Sequence, residues 1–367
     1  MGADMNGLGE LLARVWEGKK VYRETFAMIE EDGACSAPFL YRPETVLKIE
    51  SYDGTQAYEL GGDCVVKDGR LALAEGSRIP HTGWDTFYHP TEEEARRELE
   101  SRTEALGFGP VATTDGRFLN LSAIGNPSYI TRWQLAVTYE TNEVWTGPRP
   151  ESAEKKLPRF FGKALSGEPV TIVLYGDSIS CGCDSSGLYG LPPGQPIWPK
   201  LLEESLKAYY KGPVRLVNTS VGGQDSDWAI RSAMERACAY EPDLVILGFG
   251  MNDRCSGQEY LEKTRRLRGS IRSSCPDAEY VLMATTLPNE LTATAPFWFQ
   301  AHQGDQAEAL WQLEEEGTAV ADVQNVQRAL MKRKRYFDIT GNMLNHPNDY
   351  LARIQGQVLD TLLKPGE

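Results

Sequence analysis

Four turn-rich segments in the second half of the 367-residue sequence carry residue types that can do chemistry together. They read Gly-Asp-Ser-Ile-Ser at 176–180, Asn-Thr-Ser-Val-Gly-Gly at 218–223, Gly-Phe-Gly-Met-Asn-Asp at 248–253 and Asn-His-Pro-Asn-Asp at 345–349. Each segment alone is typical of a turn or a helix cap. Together they offer a hydroxyl nucleophile, a base and several hydrogen-bond donors, which are the groups that acyl transfer requires.

Ser178 and His346 are the candidate nucleophile and general base. The anion that forms on a carbonyl oxygen needs fixed donors. The backbone N–H groups of Ser178 and Gly222, with the side-chain amide of Asn252, could provide them. A glycine at 222 would let the backbone approach a substrate without a side chain in between.

The elements that must position these residues alternate between strand-like and helical patterns from residue 170 onward, which predicts a mainly parallel sheet. We predict strands at 170–175, 214–218, 244–249, 280–285 and 318–323, and a last helix at 349–363. In such a sheet ligands bind beyond the carboxyl ends of the strands. The first three segments directly follow predicted strands, and the fourth directly precedes the last helix.

The first part of the chain has a different pattern of apolar residues from the second. Short β-prone runs at 45–49, 64–66 and 133–139, with Asp-Gly turns at 53–54 and 68–69, favour an antiparallel sandwich. A stretch at 91–104 rich in Glu, Arg and Ala predicts a helix inserted between strands, and Pro and Gly at 146–169 predict a linker or a loosely packed connection. We therefore predict one domain over residues 1–165 and a second over 166–367.

The ordered blocks of the second half resemble the SGNH (GDSL-type) hydrolases: Gly-Asp-Ser at 176–178, Gly222, Gly-x-Asn-Asp at 250–253 and His346, spanning roughly residues 170 to 360. The resemblance implies a flavodoxin-like three-layer α/β/α domain with a mainly parallel five-stranded sheet, preceded here by a jelly-roll-like β-sandwich. It also implies that Ser178 is the nucleophile, that Gly222 and Asn252 complete the oxyanion hole, and that His346 is the base. Ser180 stands where a G-x-S-x-G nucleophile elbow has its second glycine, which disfavours the ordinary α/β-hydrolase fold.

The sequence departs from this family at the residue that orients the histidine. The last block of the family usually reads Asp-x-x-His, but Met343 stands three positions before His346. Three alternatives remain open: Asp338 loops back to the ring, Asn342 orients it, or a main-chain carbonyl holds it in a Ser-His dyad. The dyad is the preferred alternative. The residue in question would fix the tautomer and the orientation of the His346 imidazole.

Composition excludes several other classes of function. The 38 basic and 52 acidic residues give a net charge of −14, which disfavours nucleic acid and anionic membranes as partners. We expect the basic run Lys-Arg-Lys-Arg at 332–335 to be a solvated helix C-terminus. Seven cysteines without a C-x-x-C pair, and four histidines without a metal-binding spacing, predict neither structural zinc nor any metal or other cofactor.

Cys181 and Cys183 are interpreted as packing residues. The sequence has neither a membrane-length apolar run nor a signal-like start, so we expect a cytoplasmic protein.

A sandwich followed by such a hydrolase domain is similar to the two-domain carbohydrate esterases. The resemblance implies a serine esterase that removes short acyl groups, most simply acetyl, from a carbohydrate. Two alternatives stay open, which are a carbohydrate-binding protein with an inactive hydrolase scaffold and an acyltransferase that uses the same site. The sequence specifies neither the preferred sugar nor the oligomeric state.

Overall fold

The computed structural model describes residues 5–103, 106, 108–292 and 302–366. Within these ranges no helix has both the length and the apolar character that a membrane span needs.

The first part of the chain forms two larger sheets that share a core and a two-stranded sheet of β9 and β10, confirming the predicted strand-rich domain. One sheet has the order β1-β11-β4-β5 and is antiparallel, and the other has the order β6-β7-β3-β2-β8. Phe39 packs edge-on between Phe26 and Tyr139, with ring centroids 4.7 and 5.1 Å away. β2 and β8 pair in parallel, so the second sheet is mixed where the sequence suggested antiparallel strands. The strands of this part are β1 (Lys20–Ala27), β2 (Ile29–Glu31), β3 (Ala34–Pro38), β4 (Thr45–Ser51), β5 (Ala57–Tyr58), β6 (Cys64–Lys67), β7 (Arg70–Leu73), β8 (Thr82–Gly83), β9 (Tyr88–His89), β10 (Phe118–Leu119) and β11 (Gln134–Glu140).

Three short helices accompany these strands: α1 (Met5–Leu11) before β1, α2 (Glu92–Glu100) between β9 and β10, and α3 (Ser128–Thr131) between β10 and β11. Helix α2 lies within the stretch 91–104 for which the sequence predicts a helix. Its N-cap Thr91 accepts a hydrogen bond from the backbone N–H of Glu94, and three glutamates in the first turn complement the positive end of the helix dipole.

The second part contains a five-stranded, all-parallel sheet with the order β13-β12-β14-β15-β16. Written in chain order this is 2-1-3-4-5, the flavodoxin-like order, which confirms the predicted fold class. The strands are β12 (Val170–Gly176), β13 (Val214–Asn218), β14 (Leu244–Gly248), β15 (Glu279–Met283) and β16 (Thr318–Ala321).

Helices cover both faces of this sheet because its strands alternate their apolar side chains between two cores. Ile172 and Leu174 of β12 join the core under α6, α10 and α12, whereas Val173 and Tyr175 join the core under α7, α8 and α9. The helices of this part are α5 (Ser178–Cys181), α6 (Trp198–Tyr209), α7 (Ser226–Arg236), α8 (Gly257–Ser274), α9 (Gln303–Leu310), α10 (Val323–Met331), α11 (Tyr336–Ile339) and α12 (Asp349–Leu362).

The connection between the two parts is packed, so the prediction of a loose linker at 146–169 was wrong. It contains helix α4 (Pro158–Ser166), whose Phe160 and Phe161 are buried. The carboxylate of Glu279 accepts the backbone N–H groups of Arg159 and Phe160 at 3.2 and 2.8 Å. One hydrophobic core runs from the N-terminal sheets through α4 to the parallel sheet.

The basic run at 332–335 follows the end of α10 as predicted, but it is not simply solvated. The ammonium of Lys334 is fully buried, 2.6 Å from Glu24 of β1 and 3.7 Å from the centre of the Phe26 ring. Arg335 pairs with Asp338 at 3.0 Å. The solvated-face prediction failed because the N-terminal sheet packs over this segment and supplies the opposite charge.

Candidate active site

The carboxyl ends of the parallel strands bring together the two residues that the sequence singled out first. Ser178 is the first residue of α5, directly after β12, and His346 lies in the turn before α12. The Nε2 atom of His346 is 2.8 Å from Oγ of Ser178, across 168 positions of sequence. This is hydrogen-bond distance for a nucleophile and its base.

Three contacts hold the turn that carries Ser178. Oδ1 of Asp177 accepts the backbone N–H of Ile179 at 2.9 Å. The indole N–H of Trp198 donates to the carbonyl of Ile179 at 2.9 Å, and Nδ2 of Asn218 donates to the carbonyl of Ser180 at 2.8 Å. The turn is tight, because a Cβ atom on Gly176 would lie 2.4 Å from the carbonyl oxygen of Gly248.

Asn342 shapes the turn that carries His346 and does not contact its ring. Its Oδ1 accepts three successive backbone N–H groups, those of Leu344, Asn345 and His346, each at 3.0 Å. The carbonyl of His346 accepts the hydroxyl of Thr340 at 2.9 Å. These contacts fix the backbone from which the imidazole projects.

The group on the other ring nitrogen is Asp184, which the sequence analysis did not consider. Oδ2 of Asp184 is 2.5 Å from Nδ1 of His346. Asp184 is buried and has a left-handed backbone, with φ of 62°. Its approach requires a glycine at 341, because a Cβ atom there would lie 2.7 Å from Cβ of Asp184.

The alternatives weighed from the sequence lie elsewhere. The Asp338 carboxylate accepts the backbone N–H of Ala27 at 2.8 Å and pairs with Arg335, so it ties α11 to the N-terminal sheet. With Asn342 committed to the backbone and Nδ1 bonded to a carboxylate, the described contacts include no main-chain carbonyl on the ring, as a dyad would need. An acidic residue just beyond the nucleophile, at the same sheet edge, was the signal that could have pointed to Asp184.

The three candidate oxyanion donors lie at one end of the sheet. The backbone N–H of Ser178 donates to no acceptor in the described part of the chain. Nδ2 of Asn252 donates one hydrogen to the carbonyl of Gln224 at 2.9 Å, which leaves its second hydrogen for a ligand. Gly222 lies beside Ser178, because a Cβ atom at position 222 would be only 3.7 Å from Cβ of Ser178.

Two interactions tie the Gly222 loop to the Asn252 loop. The Asn252 amide bonds the loop at Gln224, and the buried carboxylate of Asp253 accepts the backbone N–H of Ser226 at 3.2 Å. Gly250 bends the Asn252 loop with φ of 121°, a value that side chains disfavour. The candidate donors therefore keep a fixed spacing.

Burial dominates the electrostatics behind the nucleophile. Desolvation by burial raises the pKa of the Asp177 carboxyl to about 7, and the hydrogen bond that it accepts from the backbone N–H of Ile179 offsets this only in part. Burial also raises the pKa of Asp253.

The cleft in front of these residues measures about 830 Å³ and has walls from both parts of the chain. Leu106, Phe108 and Ile124 of the N-terminal part form an apolar wall, and Asp225, Asp227, Arg254, Lys263 and Asn345 contribute polar groups. Among the described residues no group of three or more His, Cys, Asp and Glu side chains is arranged to hold a metal ion.

Comparison with known proteins finds a family model that matches the second part of the chain. Residues 174–354 match the model of the GDSL-like lipase/acylhydrolase family. The sequence matches no curated protein.

Solved structures with a similar fold include a two-domain esterase active on acetylated mannans, at 20% identity and a TM-score of 0.47, covering 59% of this chain and 54% of that one. The present chain thus spans about half the length of that esterase. A putative GDSL-like lipase from Parabacteroides merdae is similar at 16% identity and a TM-score of 0.41, covering 53% of this chain and 96% of that one. A catalytic mutant of an acetylxylan esterase from Geobacillus stearothermophilus is similar at 16% identity and a TM-score of 0.40, covering 52% and 92%.

Proposed function

We propose that this protein is a serine ester hydrolase with Ser178 as nucleophile and His346 as general base. The match of residues 174–354 to the GDSL-like lipase/acylhydrolase family model supports this proposal. The single observation that carries the proposal is the 2.8 Å contact between His346 Nε2 and Ser178 Oγ. A serine hydroxyl is a weak nucleophile until an adjacent base takes its proton.

The reaction proceeds in two halves. In the first, Ser178 Oγ attacks the ester carbonyl while His346 takes its proton, and the histidine then gives that proton to the leaving alcohol. In the second, His346 activates a water molecule that releases the acyl group from Ser178. The donors of Ser178, Gly222 and Asn252 hold the negative charge that develops on the carbonyl oxygen in both halves.

Asp184 is the positioning residue of the site. Its carboxylate accepts the N–H at Nδ1 of His346, so that Nε2 is left as the acceptor that faces Ser178. A carboxylate in this place also stabilises the imidazolium that forms during attack, without taking the proton itself.

The substrate class that we propose is a short acyl ester, most simply an acetyl ester, on a carbohydrate. This extends the resemblance of the sequence to two-domain carbohydrate esterases. The cleft is consistent with it, because an apolar wall at Leu106, Phe108 and Ile124 faces polar groups such as Asp225 and Asn345. Sugar rings present both apolar faces and hydroxyl groups, so they can use both kinds of wall.

The direct test is hydrolysis of p-nitrophenyl acetate by the purified protein and by Ser178→Ala. We expect the variant to lose activity by on the order of 10⁴-fold or more, as when a nucleophile that works with a base is removed. The matched control is Ser220→Ala, a nearby loop serine whose hydroxyl makes no hydrogen bond in the described structure. Wild-type turnover in Ser178→Ala would contradict the proposal.

The alternative functions have their own signatures. An acyltransferase would pass acetyl to an added sugar acceptor faster than to water. A binding protein with an inactive scaffold would bind glycans through residues 1–165 and release no acetate. Acetate release from a panel of acetylated mono- and oligosaccharides separates both from the proposed esterase and identifies the preferred sugar.

A further inference from the structure

Two cysteines occupy the short segment that joins the nucleophile to the positioning acid. Cys181 ends helix α5, Gly182 follows with φ of 82°, and Cys183 directly precedes Asp184. Both cysteines are half-buried and unpaired. The backbone N–H of Cys183 donates to the carbonyl of Ser178 at 3.0 Å, so the pair is bonded to the nucleophile turn on one side and continues into Asp184 on the other.

The pKa values of the two thiols shift in opposite directions. Hydrogen bonding from Cys183 is the largest cause that lowers the pKa of the Cys181 thiol, and the backbone N–H of Gly222 lowers it further. The same bond between the two thiols is the largest cause that raises the pKa of Cys183. Of the two thiols, Cys181 is thus the one whose ionisation is favoured, and Cys183 follows it two residues later in the chain.

The backbone lets this pair close. Two residues of extended chain span at most about 7 Å, and a turn shortens this span into the range of about 4.4–6.8 Å between Cα atoms that a disulfide accepts. Gly182 supplies the turn, because its left-handed conformation is one that glycine adopts without strain.

We propose that Cys181 and Cys183 are a redox modification site, at which a low-molecular-weight disulfide such as oxidised glutathione converts the two thiols into an intramolecular disulfide and slows the enzyme. The inference rests on the proposed ester hydrolysis. The Cys181 thiolate attacks the glutathione disulfide and releases one glutathione thiol. Cys183 then attacks the mixed disulfide, which releases the second glutathione and forms the Cys181–Cys183 bond. Two protein thiols are oxidised, and one glutathione disulfide is reduced to two thiols, which take up the two protons.

Closing this bond would disturb the positioning of the histidine. It pulls Cys183, and with it the adjacent Asp184, away from the position in which Asp184 is 2.5 Å from His346. A misplacement of about 1 Å in a catalytic group can cost on the order of 10²-fold in rate, so we expect a loss of about that size on oxidation.

The chain contains a second close pair of cysteines that serves as a control. Sγ of Cys275 is 4.0 Å from the carbonyl oxygen of Cys238. Cys238 precedes β14 and Cys275 precedes β15. Both therefore lie at the amino ends of the parallel strands, opposite the edge that carries Ser178. Oxidation there should leave the catalytic site intact.

The experiment equilibrates the whole protein with defined ratios of oxidised to reduced glutathione and follows p-nitrophenyl acetate hydrolysis, with disulfides mapped by mass spectrometry. We expect activity to fall by roughly 10²-fold as a Cys181–Cys183 disulfide appears, and to return with dithiothreitol. Cys183→Ser should keep the reduced activity and lose the response, whereas Cys275→Ser should respond like the wild type.

Three outcomes would overturn the inference: no Cys181–Cys183 disulfide at any ratio, a stable glutathione adduct in its place, or a disulfide that leaves activity unchanged. The mapping is done on the wild-type protein, so it decides the question even if Cys183→Ser does not fold. A reduced protein without esterase activity would instead count against the proposed function, because disulfide formation is read independently by mass.

Discussion

Asp184 reaches the histidine from the nucleophile side of the chain, six residues beyond Ser178. A catalytic acid needs only to meet Nδ1 of the imidazole, and unrelated proteins order the three residues differently along the chain. Met343, which stands where the resemblance suggests an acid, is buried and has φ of 64°. In this protein the carboxylate on Nδ1 of His346 comes from the segment after Ser178, and Gly341 leaves the room that Asp184 needs.

Asp184→Asn tests this assignment. The amide can still bond Nδ1, but it favours the wrong tautomer, so we expect kcat to fall by roughly 10³- to 10⁴-fold with little change in KM. The comparison is Asp338→Asn, whose carboxylate holds α11 against β1. That variant should lose thermal stability and keep its kcat in the folded fraction. A normal kcat in Asp184→Asn would mean that Asp184 does not position His346.

The buried carboxyl of Asp177 should make the stability of the fold depend on pH. Its pKa is about 7 in the fold, against an ordinary value of 3.8, because burial disfavours the charged form. The folded state therefore binds the proton more tightly than the unfolded state, and this contribution to stability is complete below about pH 4 and is lost as pH rises through 7. Asp177→Asn keeps an oxygen for the N–H of Ile179 and has no proton to lose.

Thermal denaturation measures this effect. The difference in Tm between Asp177→Asn and wild type should shift in favour of the variant between pH 5 and pH 8, a window that brackets the folded pKa of about 7. A Tm difference that is the same at both pH values would show that this carboxyl is ionised throughout.

The strand-end loops are the elements that the sequence predicted best. Apolar runs such as 244–249 predict buried parallel strands, and parallel strands leave their carboxyl ends at one edge, so the sequence alone was enough to place Ser178 and Asn252 together. Asp184 could not be placed in this way. Its contact with His346 depends on the left-handed backbone of Gly182 and Asp184 and on the space that Gly341 leaves. Pattern and spacing carry no signal for such a contact.

The segment that carries His346 depends on the N-terminal sheet, which periodicity also could not show. Nδ2 of Asn348 bonds Thr25 Oγ1 at 3.1 Å and Gln134 Oε1 at 3.0 Å, and Nε2 of Gln134 donates to the carbonyls of Phe337 and Thr340. These bonds join β1 and β11 to the residues on either side of the histidine turn. The predicted boundary near residue 165 thus separates two sequence patterns, and residues from both sides of it hold the turn that carries His346.

Lys334→Ala tests the fully buried ion pair of this junction, between Lys334 and Glu24. Removing one partner of a buried ion pair leaves the other charge uncompensated, so we expect a loss of about 3–5 kcal/mol in the free energy of unfolding. The matched control is Lys332→Ala, since Lys332 is exposed and has no ion pair in the described structure; it should change stability by less than about 0.5 kcal/mol. Equal urea denaturation curves for the two variants would mean that the Glu24 contact contributes nothing.

At the level of the whole protein, the N-terminal part contributes a wall of the cleft as well as a support for the catalytic turn. Leu106, Phe108 and Ile124 line the cleft opposite the parallel-sheet loops. Substrate selection should therefore depend on the first part of the chain, and the chemical step on the second.

Phe108→Ala separates these two contributions. We expect kcat/KM for an acetylated oligosaccharide to fall by roughly tenfold or more, mainly through KM, because apolar contact with the sugar is lost. Turnover of p-nitrophenyl acetate should change little. Leu165→Ala, which shortens an exposed apolar side chain on α4, should leave both substrates unaffected. Parallel losses on both substrates would assign Phe108 to the catalytic geometry and not to substrate selection.

The most direct test of the central claim is to trap the nucleophile. A fluorophosphonate should inactivate the enzyme with a stoichiometry of one, and fragmentation of the labelled peptide should place the phosphorus on Oγ of Ser178, with no label in His346→Ala. An adduct on Ser180, Ser185 or any other serine, or full activity after complete labelling of Ser178, would contradict the account.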